Sequence, residues 1–399
     1  MECHGVKIEK GISDWQVLQQ QDGAATAALS GIWELPQAEV GQECTVVVRL
    51  LREDDNAQVL PWQSAANEKT TEKTGIWHIN ISIPAGGPYR LETGMDIGRD
   101  AGKIWVLRGD LRLHICVGNV FVIAGQSNAA GYGRSNAYDP SQLGVHTYRN
   151  CGRWDLAAHP LNETTDCWSA PNAENSNCGT SPYIAFGKML QRISGLPVGL
   201  VPTALGGSPI RRWVKGLQGD LYENMLQCIQ SAGVHVAGIL WYQGCSDTDT
   251  QQQAEGYLDN FTKIVNDLRA DLKYCVPFFT YQLNRHTAST SPVRWSVVKE
   301  AQRKAAHDID RVYILPTLDC TMSDEIHNSS AANTLLGERL ARQAGIFFAA
   351  QASGLRLTFS RRQAAKQHSR LAFRTSRLGL KHLICRLLLG LWWRTKMAA

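Results

Sequence analysis

Residues 120–128, with the sequence Val-Phe-Val-Ile-Ala-Gly-Gln-Ser-Asn, constrain the fold of this chain more than any other stretch. A short run of consecutive apolar residues is typical of a strand that is buried on both faces of a parallel sheet. The run ends at Gly125, and Ser127 follows in a glycine-flanked turn. Because open α/β sheets place their chemistry at the carboxyl ends of strands, Ser127 occupies a position suited to a functional role. The alternative is an ordinary strand-to-helix turn in which Ser127 only caps the helix.

The region before this stretch, residues 1–115, predicts a β-rich domain. Short runs of β-branched and aromatic residues are separated by Gly, Pro, Asp and Asn turns, and no helical period persists. These runs are residues 45–51, 75–83 and 103–107. Short strands of this kind favour a small antiparallel β-sandwich.

Residues 116–354 follow a different pattern, in which apolar strand-like runs alternate with amphipathic helices. After the strand that leads into Ser127, the predicted strands are 198–205, 236–242, 276–283 and 312–318, and the predicted helices are 181–194, 221–231, 250–272, 293–307 and 331–350. Five buried strands that alternate with helices predict a parallel sheet with helices on both faces. The connection 134–180 is rich in Asn, Ser, Asp and Gly, and its length favours a functional loop.

Charge is distributed unevenly along the 399 residues. The segment 355–399 contains 11 Lys and Arg and no Asp or Glu, whereas residues 1–354 contain 30 basic and 36 acidic residues, a net charge of −6. We therefore expect the basic tail to lie outside the catalytic core and assign it no function. A weak contact with anionic surfaces is one alternative, and an unrelated end is the other. The mildly acidic body gives no indication of a nucleic-acid surface.

The sequence as written shows no targeting signal and no cofactor motif. Residues 1–30 lack the apolar core of a signal peptide, and no apolar run reaches the roughly 18 residues of a membrane-spanning helix. We therefore expect a cytoplasmic protein without a transmembrane segment, while an incomplete N-terminus would leave a secreted, lysosomal or periplasmic location open. No Cys-x-x-Cys pair occurs, which disfavours a zinc site, and we expect neither a metal nor a cofactor.

Polar clusters follow the predicted strands at four places. They are Gly-Gln-Ser-Asn at 125–128, Gly-Gly-Ser at 206–208, Trp-Tyr-Gln-Gly at 241–244, and the segment 319–327. The carboxyl ends of parallel strands lie along one edge of a sheet, so residues about 200 positions apart in sequence meet there. Each cluster alone is a weak signal, but four of them in order at predicted strand ends favour a single catalytic site.

A serine esterase needs a nucleophile, a base and oxyanion donors, and the clusters supply candidates for each. Ser127 is the candidate nucleophile, His327 the base that takes its proton, and Asp324 the carboxylate that orients the imidazole. The oxyanion of a tetrahedral intermediate needs preorganised donors. Candidates are the backbone N–H groups of Ser127 and of Gly206 or Gly207, and the side-chain amide of Gln243.

Together these motifs resemble the sialate O-acetylesterase family, which belongs to the SGNH hydrolases. The resemblance extends over about residues 11–350, through Trp-Gln-Val-Leu-Gln-Gln at 15–20, Ala-Gly-Gly-Pro-Tyr at 85–89 and Glu-Ala-Gln-Arg at 300–303. It implies a flavodoxin-like three-layer α/β/α domain at 116–354, preceded by a small β-sandwich domain at 1–115. The implied activity is hydrolysis of O-acetyl esters of sialic acids or related sugars through a triad of Ser127, His327 and Asp324, with no metal.

Four side chains beside the motifs are candidates to bind the acetylated sugar: Gln126, Asn128, Arg211 and Arg212. A guanidinium group in this position could pair with the carboxylate of a sialic acid, although a solvated helix start explains the two arginines slightly better.

The chain departs from the family pattern at two positions beside the motifs. Cys245 stands where the family usually has an acidic residue, and Ala129 stands where a methionine is common. The first departure favours one alternative, a catalytically weak carbohydrate-binding protein. A second alternative is an acetylxylan or general carbohydrate acetylesterase, which would use the same catalytic residues.

Overall fold

The computed structural model describes residues 5–41, 43–98, 106–288 and 292–352. These residues form a mixed α/β architecture, which confirms the α/β class predicted from the sequence. The basic tail 355–399 lies outside the described residues, as do the first three positions of the predicted strand 103–107. Among the described helices, none combines the length and the hydropathy that a membrane span requires.

The described strands before Ser127 pair with one another in antiparallel fashion, except that Val17–Gln19 pairs in parallel with the strand that leads into Ser127. They are β1 (Gly5–Lys10), β2 (Val17–Gln19), β3 (Ala24–Glu34), β4 (Thr45–Arg52), β5 (Gln58–Ser64), β6 (Ala66–Lys69), β7 (Thr74–Pro84), β8 (Gly86–Asp96) and β9 (Val106–Gly125). One sheet has the order β1-β3-β7-β6, and β4 pairs with β5 and β8. Trp33 on β3 and Trp77 on β7 are each 1% exposed and lie in a hydrophobic cluster with side chains of β4 and β8. The predicted strands 45–51 and 75–83 correspond to β4 and β7.

Strand β9 joins the two parts of the chain. Its first half pairs with β8 in antiparallel fashion, and its second half pairs in parallel with two strands of the following region. The predicted boundary between residues 115 and 116 therefore falls inside one continuous strand. Val120, Phe121 and Val122 are completely buried, which confirms the buried strand predicted before Ser127.

The second part of the chain alternates strands and helices. Its elements are α1 (Ser127–Ala130), β10 (Val145–Arg149), β11 (Arg153–Leu156), α2 (Tyr183–Ser194), β12 (Val198–Pro202), α3 (Asp220–Ser231), β13 (Gly238–Tyr242), α4 (Gln251–Glu255), α5 (Tyr257–Leu272), β14 (Phe278–Tyr281), α6 (Pro292–Asp308), β15 (Val312–Leu315) and α7 (Ser330–Ala352). The sheet order is β11-β10-β12-β9-β13-β14-β15, and each of these pairs is parallel except β10 with β11.

Helices contact both faces of this sheet. On one face, Phe121 of β9 packs edge-to-face against Phe186 of α2 and Phe348 of α7. On the other face, Phe261 of α5 packs against Trp241 of β13 and Phe278 of β14. Because the faces are covered, the carboxyl edge of the sheet is the place where polar side chains from several strands can meet.

The structure corrects two predictions about elements. The segment 134–180, predicted to be a loop, contains the strands β10 and β11. The sequence did not indicate β10 because its buried residues include His146 and Thr147, which interrupt the apolar pattern. The predicted helix 250–272 is two helices, α4 and α5, separated at Gly256.

Candidate active site

Ser127 is held at the carboxyl end of β9 by a close approach of two strands. Gly125 has φ +129°, and a Cβ at this position would lie 2.2 Å from the carbonyl oxygen of Tyr242 on β13. Only glycine fits this conformation and this spacing. The turn therefore places Ser127 as the first residue of α1, where it is 4% exposed.

Ser127, His327 and Asp324 form a connected hydrogen-bonded chain. His327 Nε2 lies 2.8 Å from Ser127 Oγ, and His327 Nδ1 lies 2.7 Å from Asp324 Oδ2. A proton on Nδ1 would be donated to the carboxylate, which leaves the Nε2 lone pair directed at the serine hydroxyl. The residues that the sequence placed 200 positions apart are thus brought to hydrogen-bonding distance.

The carboxylate of Asp324 is fixed by the backbone as well as by the imidazole. Its Oδ1 accepts hydrogen bonds from the backbone N–H groups of Ile326 at 3.0 Å and His327 at 2.8 Å. Burial alone would raise the pKa of Asp324, but the hydrogen bonds from the His327 ring and the two N–H groups outweigh burial and hold this pKa below its usual value. The side chain is therefore a carboxylate at neutral pH, as an acceptor for imidazole N–H requires.

Asn128 was predicted to bind substrate, and the structure gives it an internal position instead. Its amide Nδ2 donates to the carbonyl oxygen of Ile326 at 3.0 Å, and its Oδ1 accepts from the backbone N–H of Asn328 at 3.1 Å. These groups flank His327 on both sides, and Asn128 is only 2% exposed. Asn128 therefore ties the loop that carries His327 to the turn that carries Ser127.

Gln126 is also turned inward rather than towards a substrate. Its Oε1 accepts hydrogen bonds from the backbone N–H groups of Gly244 at 3.0 Å and Ser246 at 3.3 Å, and its side chain is 2% exposed. The second predicted substrate contact is therefore a link between the ends of β9 and β13.

The predicted oxyanion donors differ in whether their hydrogens already have partners. The N–H of Gly206 donates to Glu174 Oε1 at 2.6 Å, so it does not face the serine as an open donor. The N–H groups of Ser127 and Gly207 have no hydrogen-bond partner among the described residues. Gly207 has φ +66°, a left-handed conformation that glycine adopts without strain.

Gln243 does not have a free amide for the oxyanion either. It is completely buried, and its Nε2 donates both to the carbonyl oxygen of Ser208 at 3.1 Å and to the carboxylate of Asp247. Burial raises the pKa of Asp247 to about 6, although the Gln243 amide and the N–H of Ile210 both donate to it. The side chain of Gln243 thus braces the floor of the site.

The two candidate arginines have different surroundings. Arg212 Nε lies 3.1 Å from Asp220 Oδ2, so this guanidinium is already paired within the chain. The side chain of Arg211 is exposed and makes no hydrogen bond or ion pair with a described residue. Only Arg211 of the pair is therefore open to a ligand.

Cys245 is buried beside acidic groups. It is 7% exposed, and burial, followed by the charge of Asp247, raises the pKa of its thiol to about 12. The thiol is therefore neutral at physiological pH and supplies no negative charge where the family pattern has one.

Sequence reasoning missed Tyr132 and Glu174, which complete the site. The Tyr132 ring stacks on the His327 ring with 5.1 Å between centroids, and its hydroxyl donates to Glu174 Oε2 at 2.9 Å. The same carboxylate accepts hydrogen bonds from Gly206 N–H and from Asn162 Nδ2, the latter at 3.2 Å. The Gly-Tyr-Gly spacing around Tyr132 was a weak local signal, whereas Glu174 had none because its partners are distant in sequence.

A cleft of about 940 Å³ adjoins the Tyr132 side of the site. Its lining residues come from segments 132–138 and 176–180, both within or beside the connection that the sequence marked as a functional loop. In the part of the chain that the structure describes, no group of three His, Cys, Asp or Glu side chains is arranged to hold a metal ion.

The chain is similar to known carbohydrate esterases. The family described as carbohydrate esterase, sialic acid-specific acetylesterase, matches residues 117–345. A probable carbohydrate esterase of Arabidopsis thaliana is 29% identical over 175 residues, which cover 38% of this chain and 64% of that protein. Human sialate O-acetylesterase is 24% identical over 195 residues, which cover 42% of this chain and 35% of that protein.

A solved structure extends the likeness beyond the matched family region. The crystal structure of a carbohydrate acetylesterase from Xanthomonas citri has a TM-score of 0.52 at 21% identity, covering 83% of this chain and 73% of that one. At this identity the likeness concerns the fold alone. The chain spans less than two thirds of the length of the curated relatives described above. Because the family match covers more than half of the 399 residues, the chain belongs to the sialic acid-specific acetylesterase family of carbohydrate esterases.

Proposed function

We propose that this chain is a serine esterase that hydrolyses O-acetyl esters of sialic acids or related sugars. The observation that carries the proposal is the hydrogen-bonded chain from Ser127 Oγ through His327 to Asp324, with distances of 2.8 Å and 2.7 Å. This order of groups is what nucleophilic catalysis by a serine requires.

The reaction begins when His327 Nε2 takes the proton of Ser127 as Oγ attacks the acetyl carbonyl carbon. The resulting imidazolium is stabilised by the Asp324 carboxylate. His327 then gives its proton to the sugar oxygen, the ester bond breaks, and the acetyl group remains on Ser127. A water molecule that loses a proton to His327 next attacks the acetyl carbon. His327 returns that proton to Ser127 Oγ as the acetyl–serine bond breaks and acetic acid is released.

The open N–H groups of Ser127 and Gly207 are the donors that we assign to the oxyanion. Both hydrogens lack a partner among the described residues, whereas those of Gly206 and Gln243 are engaged. A preorganised donor of this kind contributes about 2.7–4 kcal/mol to the stabilisation of the transition state.

We also infer that the described residues from the second half of β9 onwards form a flavodoxin-like three-layer domain, and that the described residues before them form a β-sandwich domain. The order β12-β9-β13-β14-β15 supports this inference, since in chain order it is the 2-1-3-4-5 arrangement of flavodoxin-like sheets. In such sheets the ligand binds outside the carboxyl ends of the strands, where Ser127 lies.

The test is hydrolysis of an aryl acetate and of O-acetylated sialic acid by the wild type and by Ser127→Ala. We expect the variant to lose at least about 1,000-fold in kcat, because the nucleophile is removed. Ser296→Ala is the matched control, since Ser296 is an exposed serine of α6. Wild-type turnover by Ser127→Ala would refute the assignment, and release of acetate from acetylated xylan but not from the sialic acid would favour the general acetylesterase.

A further inference from the structure

The cleft beside the catalytic residues contains a cation that the proposed mechanism does not use. We name it the Arg134 cleft; its volume is about 940 Å³, and its walls include Tyr132, Arg134, Asn136, Tyr138, Asn177 and Thr180. No Asp or Glu is among the residues that line it. The side chains that face this space are therefore hydrogen-bonding or aromatic groups around one guanidinium.

The position of Arg134 relative to the base is fixed by a shared aromatic ring. Arg134 Cζ lies 5.8 Å from the centroid of the Tyr132 ring, and the His327 ring centroid lies 5.1 Å from the same point. The guanidinium can therefore be no farther from the imidazole than the sum of these two distances. One sugar molecule can therefore contact both groups, provided that its carboxylate and its acetyl ester are no farther apart than this limit.

Arg134 is available to a ligand. Its side chain is exposed and forms no hydrogen bond or ion pair with a described residue. The nearby acids have other partners: Asp139 contacts His159 and Lys188, and Glu174 accepts three hydrogen bonds. Among the described residues, the guanidinium of Arg134 contacts the electron-rich face of Tyr132 and no carboxylate.

We propose that Arg134 binds the carboxylate of an acidic O-acetylated sugar whose ester reaches Ser127. This inference rests on the proposed function and names the residue that would distinguish a sugar acid from a neutral sugar. A guanidinium group pairs with a carboxylate through two parallel hydrogen bonds, which fixes orientation as well as charge. Tyr138, which is 92% exposed at the cleft, offers an aromatic face to the apolar side of the sugar ring.

The arginines that the sequence suggested are less suited to this role. Arg212 is held by Asp220, and a second carboxylate would have to displace that pair. Arg211 is unpaired, but the buried carboxylate of Asp247 lies close enough for the charge of Arg211 to lower its pKa, and Arg211 does not line the cleft. Of these three arginines, Arg134 alone lines the cleft.

The experiment compares acetate release from an O-acetylated sialic acid and from its C1 methyl ester, which has the same shape without the negative charge. We expect the wild type to favour the acid by about 10- to 100-fold in kcat/KM, mainly through KM, because hydrogen bonds to charged groups are the strong ones. Arg134→Gln should abolish this ratio, and Arg211→Gln should retain it. High salt should reduce the ratio in the wild type, because the exposed charge is screened.

Three outcomes would overturn the proposal: equal wild-type activity on acid and ester, an unchanged ratio in Arg134→Gln, or loss of the ratio in Arg211→Gln. The ratio is read within each variant, so a general loss of activity does not imitate the expected result. Aryl acetate hydrolysis by the wild type tests the proposed function separately. A wild type that cleaves the aryl acetate but ignores the charge of the sugar would retain the esterase and refute only the Arg134 subsite.

Discussion

Replacing Glu174 by alanine tests how the turn at Gly206 and Gly207, which carries a proposed oxyanion donor, is held in place. The substitution removes the acceptor of three hydrogen bonds, from Gly206 N–H at 2.6 Å, the Tyr132 hydroxyl at 2.9 Å and Asn162 Nδ2 at 3.2 Å. Gly206 precedes the open N–H of Gly207, and Tyr132 stacks on His327. The same carboxylate therefore holds a neighbour of the proposed oxyanion donor and a neighbour of the proposed base.

The expected decrease in kcat follows from the N–H of Gly207, which this turn directs at the proposed oxyanion. If Gly207 N–H is no longer held in place, the transition state loses about 2.7–4 kcal/mol, which is a decrease of roughly 100- to 1,000-fold in kcat. KM for a small aryl acetate should change little, because the lost interaction is made to the oxyanion and not to the bound ester.

Two conservative variants distinguish geometry from charge. Glu174→Gln retains an oxygen for Gly206 and Asn162, and the Tyr132 hydroxyl can accept from the new amide, so kcat should stay within about fivefold of the wild type. Glu174→Asp keeps the charge but is one methylene shorter, so it should resemble the alanine variant.

The assay is steady-state hydrolysis of an aryl acetate, with the thermal midpoint of each variant measured to exclude unfolding. A kcat for Glu174→Ala within about twofold of the wild type would refute the reasoning. A glutamine variant as impaired as the alanine variant, with an active aspartate variant, would show that the charge matters and the hydrogen-bond geometry does not.

Three further predictions follow from the site. Asn128→Ala should lower the free energy of unfolding in urea by about 1–3 kcal/mol, because it leaves the carbonyl of Ile326 and the N–H of Asn328 without their partner. It should also lower kcat. An unchanged kcat would mean that the His327 loop does not depend on the hydrogen bonds of Asn128. Because the folded pKa of Asp324 is below its unfolded value, its carboxylate stabilises the fold at neutral pH, and this contribution is lost as pH falls from the unfolded pKa through the folded pKa. Urea denaturation at pH 7 and at a pH below the folded pKa should therefore show a smaller loss for Asp324→Asn than for the wild type. Cys245→Glu should lower the free energy of unfolding by about 2 kcal/mol or more, because the new carboxylate would be buried near Asp247 and Asp324. Cys245→Ser should lower it less. A glutamate variant that is more stable and more active than the wild type would instead show that the cysteine reduces stability and activity.

The sequence determined the elements whose signal is local. The apolar run before Ser127 is a buried strand because a strand covered on both faces needs no alternation, and the spacing of Asp324 and His327 places both in one short turn. The same local reasoning found the helices of the second part to within a few residues, apart from the break at Gly256. It also predicted which two groups would meet Ser127, since parallel strands end at one edge.

Only the tertiary structure decided which polar groups remain open. Gln126, Asn128, Gly206 and Gln243 lie beside the catalytic residues in sequence or at neighbouring strand ends, yet each uses its hydrogen-bonding groups on another part of the chain. A buried donor or acceptor must find a partner, and that partner is set by the packing of distant segments. Glu174 and Arg134 show the same principle. Glu174 accepts three hydrogen bonds, whereas Arg134 forms no hydrogen bond or ion pair with a described residue. Both outcomes depend on where the connection 134–180 folds back over the edge of the sheet, which no local pattern specifies.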